Sequence, residues 1–312
     1  MNTSQKDDQF YLARKAKNLR LRAKFMQSVR HFFNEHDFLE IETPLRIPGP
    51  APEEHIEAIP SGNWFLQTSP ELCMKRLLAA GYPRIFQICK CFRARERGEK
   101  HLPEFTMLEW YVAHFDYQDL MDQCEAMLLD AFRNMGYPRD ITWQNKKIHL
   151  ESPWERITVA NAFARYSPVS LSETLNQNHF DETLVQYIEP RMGINRPTFL
   201  YDYPPELAAL ARIKKSDPSV AERFELYIGG LELANGFSEL TDTAEQRRRF
   251  EKAAGARAAK NWQNYPMPEK FLTALENLPP SAGIALGIDR IIMLMGDTTQ
   301  IDDITAFPPE SL

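Results

Sequence analysis

Two apolar runs, Arg84–Phe92 and Glu104–His114, constrain this chain more than any other feature. Each reads as a β-strand. The stretch between them, Arg93-Ala94-Arg95-Glu96-Arg97-Gly98-Glu99-Lys100-His101, is charged and contains a glycine. Such a stretch joins antiparallel neighbours, so the chain is committed to a long hairpin with a cationic connecting loop. The period of two along a strand puts Phe105, Glu109 and Tyr111 on one face, with Arg93 across the hairpin able to share it. A ring, a carboxylate, a phenol and a guanidinium make a poor core, because buried charge is costly unless paired or liganded.

Further strands are predicted at Phe38–Pro44, Leu66–Ser69, Thr198–Tyr203, Phe224–Leu233 and Ile284–Ile288. Helices are predicted at Leu12–Glu35, where Leu21, Phe25, Val29, Phe32 and Phe33 form one stripe, and at Pro70–Ala80, Tyr117–Met135 and Asp289–Gly296. Gly136 reads as the stop of the third. Residues 150–197 read as mostly helical. The proline-rich stretch Pro48–Pro60 reads as a loop crossing the surface or covering a site. Strands in runs, joined by hairpins and flanked by grouped helices, define an α+β fold with an antiparallel sheet.

The composition excludes several classes. The four cysteines lack paired metal-site spacing and are too few for a disulfide scaffold. Cys89 and Cys91 are expected as one buried and one less buried strand residue. No signal core or apolar run of about 18 residues occurs, so a cytoplasmic protein without membrane contact is expected. The net charge of −6 gives no global basic field for nucleic acid. Within residues 1–30, however, Lys6, Arg14, Lys15, Lys17, Arg20, Arg22, Lys24 and Arg30 outnumber Asp7 and Asp8, and Arg247-Arg248-Arg249 forms a second basic cluster. Both read as solvated helix faces, with docking of an acidic partner as the alternative.

Two late segments carry chemistry. In Gly283-Ile284-Ala285-Leu286-Gly287-Ile288-Asp289-Arg290, glycines on a strand leave room for a flat ligand, and Arg290 near a helix start suits a phosphate. The apolar, glycine-rich stretch Phe224–Leu240 offers Glu225, Glu232, Asn235 and Glu239. Carboxylates there suit Mg²⁺ bridging phosphates, or an ammonium group. Together these segments describe nucleotide-dependent activation of an amine-bearing substrate.

At Phe38–Pro44, at Phe92-Arg93 with Pro103–Tyr111, and at Gly283–Arg290, the chain resembles motifs 1, 2 and 3 of class II aminoacyl-tRNA synthetases. Thr68-Ser69-Pro70-Glu71 and Asn235–Leu240 resemble the lysyl-tRNA synthetase-like branch. The resemblance implies a single catalytic domain over residues 1–312, with a six-stranded antiparallel sheet flanked by helices and a homodimer formed through motif 1. It implies ATP and Mg²⁺. Arg93 would meet the α-phosphate and Arg290 the γ-phosphate. Phe105 would stack on adenine, Arg95, His101, Leu233 and Gly287 would complete the ATP side, and Glu225 and Glu232 would hold the metal. Glu71 would meet the substrate's amino group nearest its carboxylate, Glu109, Tyr111 and Glu239 its distal ammonium, and Asn235 its carboxylate, with Ser69 and Ala285 also on the substrate side.

Motif 1 begins almost at the start of the sequence, so no anticodon-binding domain is expected ahead of it, and Ala285 stands where lysyl-tRNA synthetases have glycine. Both features resemble the ligases that attach (R)-β-lysine to a lysine of elongation factor P, and imply that acceptor, lysine or (R)-β-lysine as substrate, and no stable tRNA binding. Arg95 and Leu102 depart from the glutamate and asparagine usual in this branch. A lysyl-tRNA ligase-like enzyme with another acceptor, and a silent paralogue with a binding role, remain open alternatives.

Overall fold

The computed structural model describes residues 3–312, with side chains from residue 9 onward; Lys6, Asp7 and Asp8 of the basic N-terminal cluster lie outside the described side chains. The fold is built on an eight-stranded sheet. Its strands are β1 (Leu39–Glu40), β2 (Arg84–Phe92), β3 (Glu104–Ala113), β4 (Glu155–Thr158), β5 (Thr198–Tyr203), β6 (Ala221–Ile228), β7 (Leu231–Ser238) and β8 (Ser281–Gly287). They lie in the order β1-β2-β3-β8-β7-β6-β5-β4. The six inner strands are antiparallel, as expected. The sheet is wider than expected because β1 and β4 add to its edges in parallel. Parallel neighbours need a crossover, and each pair has one: α3 (Glu71–Ala79) lies between β1 and β2, and a helical segment from Val159 lies between β4 and β5.

The hairpin β2–β3 forms as its sequence demands, pairing Arg84 with Val112 at one end and Phe92 with Glu104 at the other. Several other segments differ from expectation. Only Leu39–Glu40 of the Phe38–Pro44 run is strand, and the short strand before α3 is Trp64–Leu66. The single strand expected at Phe224–Leu233 is the β6–β7 hairpin, reversed by Gly229 and Gly230 at φ +64° and +75°. Two successive left-handed residues are cheap only for glycine. Residues 150–197 contain β4 as well as helix, and the hairpin Asp140–Trp143/Lys146–His149 had no sequence reading. Both cysteines of β2 are buried, with Sγ atoms 3.9 Å apart, because residues two apart share a face.

Helices cover both sheet faces. On the back lie α2 (Ala16–Glu35), α4 (Tyr117–Asn134) and α7 (Ile288–Gly296), where Phe25, Phe33, Leu128 and Ile292 pack with Leu108 and Trp110 of β3. Asp116 starts α4 with a reciprocal capping box, and Gly136 at φ +91° follows its end. The expected Leu12–Glu35 helix is split into α1 (Thr3–Arg14) and α2 at Lys15. The Lys15 ammonium is buried against the carbonyls of Asp302 and Thr305, 2.8 Å from each. On the front, α3, α5 (Thr243–Ala259) and α6 (Glu269–Leu275) bury Met74, Leu78, Phe250, Phe271 and Leu272 against Ile85 and Tyr111. The Arg247–Arg249 cluster is paired within the chain, but the N-terminal cluster is only partly so, through Lys15, Arg22 and Arg30. Arg22 pairs with Asp289, Arg30 with Glu40, Arg247 with Glu269, and Arg248 and Arg249 with Glu245.

Candidate active site

The front face of β3, β8 and β7 floors a cleft of about 790 Å³. Cross-strand register builds that floor: Glu109 lies opposite Ala285, which lies opposite Asn235, and Tyr111 lies opposite Gly283. Gly283 is required sterically. A Cβ there would stand 2.2 Å from Tyr111 Cε1 and 2.7 Å from Glu239 Oε1, so any side chain would push apart two residues assigned to one ligand group.

At the inner end, Ser69, Glu71, Glu109 and Tyr111 line the cleft. Glu109 is buried and accepts hydrogen bonds from Ser69 Oγ at 2.9 Å and Tyr111 OH at 2.5 Å. Burial, then the charge of Glu71, pushes its pKa up to about 8. Burial also raises the Tyr111 phenol well above its usual value. Glu239 does not line the cleft; it lies directly behind, fully buried, with its pKa pushed up to about 8, chiefly by burial.

Sequence reasoning missed the residue that joins these acids. Lys75 of α3 is buried, donates to Glu71 Oε1 at 2.5 Å and pairs with Glu239, its ammonium also 5.0 Å from the Phe237 ring centre. Burial alone would depress its pKa, but Glu239 and Glu71 more than offset this and hold it charged. The available signal was the i,i+4 spacing from Glu71. Two carboxylates thus share one internal ammonium, while Glu109 is held by hydroxyls alone. Glu53 of the proline-rich loop also lines this end and had no sequence reading.

The outer end holds Arg93, His101, Phe105, Glu232, Leu233, Gly287 and Arg290. Arg93 lies over the Phe105 ring at 5.1 Å and meets Glu96 at 3.6 Å, while its buried Nε has no partner among the described residues. Arg290 donates to the Glu232 carbonyl at 2.7 Å and its carboxylate at 3.2 Å, and contacts His101. Burial, then the Arg290 charge, lowers the His101 pKa and keeps the ring neutral. Two expected ligands stand apart. Arg95 lies outside the cleft, its side chain 68% exposed, paired with Glu57 at 2.8 Å and facing the Trp262 ring. Glu225 lies behind the cleft, both oxygens taken by Tyr203, Tyr227 and Arg223 at 2.6 Å each.

No group of three or more metal-ligating side chains exists among the described residues. Mg²⁺ needs only one or two carboxylates when phosphates supply the other oxygens, and Glu232, partly exposed in the cleft, fits that need. Glu225 fits it only by giving up a bond it already accepts.

A basic outer end for phosphates, an aromatic face and an acidic inner end on an antiparallel sheet define an adenylate-forming site. The chain belongs to the class II tRNA synthetases of the D, K and N type, whose family model matches residues 9–311. Within that family it is 38% identical to the elongation factor P–(R)-β-lysine ligase of Proteus mirabilis, covering 93% of this chain and 94% of that one. It is 39% identical to the same-named ligase of Vibrio atlanticus, covering 94% and 95%. It is also 36% identical to the lysine–tRNA ligase of Nitrosomonas europaea, but over only 62% of that protein's length. No helix among the described residues is long and apolar enough to cross a membrane.

Proposed function

We propose that this protein activates (R)-β-lysine with ATP and transfers it to a lysine ε-amine of elongation factor P. The observation that carries the reading is the inner end of the cleft, where buried Glu71, Glu109 and Glu239 outnumber Lys75, a surplus of acids that a diammonium ligand would ionise and neutralise. The end-to-end match to elongation factor P ligases supports the acceptor.

The substrate carboxylate attacks the α-phosphorus of ATP, forming the acyl-adenylate as pyrophosphate leaves. The neutral ε-amine of the acceptor then attacks the acyl carbon, an amide forms, and AMP leaves. Arg93 meets the α-phosphate and Arg290 the γ-phosphate. Glu232 would hold Mg²⁺, which would supply neutralisation of phosphate charge, with Glu225 behind Glu232. Glu71 takes the amine near the carboxylate, Glu109 and Glu239 the distal ammonium, and Asn235 orients the carboxylate. Rate acceleration comes from positioning and charge neutralisation. The exposed side chains of Leu39 and Leu45 beside edge strand β1 support a homodimer through that segment.

ATP–pyrophosphate exchange with α-lysine and (R)-β-lysine, followed by intact-mass analysis of elongation factor P, tests the reading. Faster exchange with (R)-β-lysine and a lysyl mass increment are expected. Preference for α-lysine without transfer points to another acceptor, and no exchange with either isomer removes the ligase reading.

A further inference from the structure

The proline-rich segment over the cleft is tied down by an unusual anchor. Arg257 of α5 is fully buried and donates to the carbonyls of Glu53 at 2.8 Å, Ile56 at 2.6 Å and Gln263 at 2.9 Å, and to Tyr265 OH at 2.7 Å. The Ala58 N–H donates to the same Tyr265 oxygen at 2.8 Å. A buried guanidinium whose donors are spent on loop carbonyls fixes the backbone of residues 53–58 relative to the sheet.

What that backbone presents is the half-buried carboxyl of Glu53 on the cleft wall. Glu71, Glu109 and Glu239 each have a protein cation or hydroxyl partner. Glu53 differs: only through-space charges act on it, and no donor reaches its carboxyl among the described residues. Burial and then the Glu71 charge push its pKa up to about 7, while Arg93, Arg223 and Lys75 pull it down. Holding an unpartnered acid beside another acid is costly unless a cation arrives between them. That a cation suits this cluster is visible from Lys75, whose ammonium already bridges Glu71 and Glu239 on its inner side.

We propose that Glu53 is a specificity-determining residue that joins Glu71 in binding the amino group nearest the substrate's carboxylate, with Arg257 as the residue that positions it. The assignment rests on the reading of the cleft as a diamino-acid site. It separates ligands by whether they carry that amine, whereas the distal ammonium belongs to Glu109 and Glu239.

The test compares calorimetric binding of (R)-β-lysine and of 6-aminohexanoate, which lacks the amine in question, to wild type, Glu53→Gln and Glu53→Asp. A charge-assisted hydrogen bond predicts that Glu53→Gln weakens (R)-β-lysine roughly 10- to 100-fold and 6-aminohexanoate less than about twofold, with Glu53→Asp restoring much of the loss. Equal weakening of both ligands, or of neither, overturns the assignment, as does failure of wild type to bind any diamino acid. Pyrophosphate exchange by wild type is read separately: if binding discriminates as expected but exchange is absent, the ligase reading fails and the role of Glu53 stands.

Discussion

The two ends of the cleft solve opposite problems. At the inner end, buried acids are already bridged by Lys75, and Gly283 is kept bare so that Tyr111 and Glu239 can approach. At the outer end Arg93 has a buried Nε without a partner, and Arg290 leans on Glu232 and on a neutral His101. The inner end must hold its shape without ligand, and it does so with the Lys75 ammonium and with Glu109 and Glu239 kept protonated by burial, because several like charges out of water would repel. The outer end keeps its cations lightly engaged, as the proposed role in holding phosphates requires. Charge is therefore structural at one end and available at the other.

Replacing Lys75 with Met should break this contrast most severely. Removing one partner of a buried ionic cluster costs about 3–5 kcal/mol, so a large loss of thermal stability and of diamino-acid binding is expected by calorimetry. Arg93→Ala, at the open end, should instead lower kcat for pyrophosphate exchange about 10²- to 10³-fold, the scale for one charge-stabilising donor, with a melting temperature close to wild type. Equal destabilisation by the two variants would dissolve the distinction.

Protons sharpen the comparison. Folded Glu109 and Glu239 keep their protons to about pH 8, whereas an unfolded chain releases them near 4.5. The free protein should therefore lose stability as pH rises from about 4.5 to about 8. A diammonium ligand needs the charged carboxylates, so its affinity should climb over the upper part of the same range. About tenfold per pH unit is expected for each required ionisation, read from KM at pH 6, 7 and 8. Ala285→Gly should shift preference toward α-lysine by roughly 10- to 200-fold, the reach of one methyl-sized change, in side-by-side exchange assays. Smallest of all, Arg95→Lys should change stability by less than about 0.5 kcal/mol, since that side chain is mostly exposed, lies outside the cleft, and lysine keeps a cation beside Glu57.

Much of the cleft was legible because its floor is made of strands. Period two fixed which residues of Glu104–Ala113 face the ligand, and the glycines of Ser281–Gly287 marked where backbone is approached. The acids at 71, 109 and 232 and the arginines at 93 and 290 follow from those segments and the family they resemble. Lys75 escaped notice because a lysine on a helix ordinarily reaches water; only the tertiary placement of Glu239 turns it inward. Glu53 escaped because its loop has no period of its own, and the residue that fixes it, Arg257, lies 204 positions later. The turn at Gly229-Gly230 was readable in principle, but the apolar residues on either side of it read as one strand. The parallel edges were not readable, since so short a strand as Leu39–Glu40 takes its identity from its neighbour.

Beside Ala285, on the same sheet face, lie the thiols of Cys89 and Cys91 and the thioether of Met107. Sulfur is soft and polarizable, and an unbranched thioether adapts to irregular space. The floor position expected to distinguish related substrates by one methyl thus has adaptable neighbours at its side. A change of side-chain volume at residue 285 should therefore be taken up by these neighbours, while the acids of the inner end keep their places.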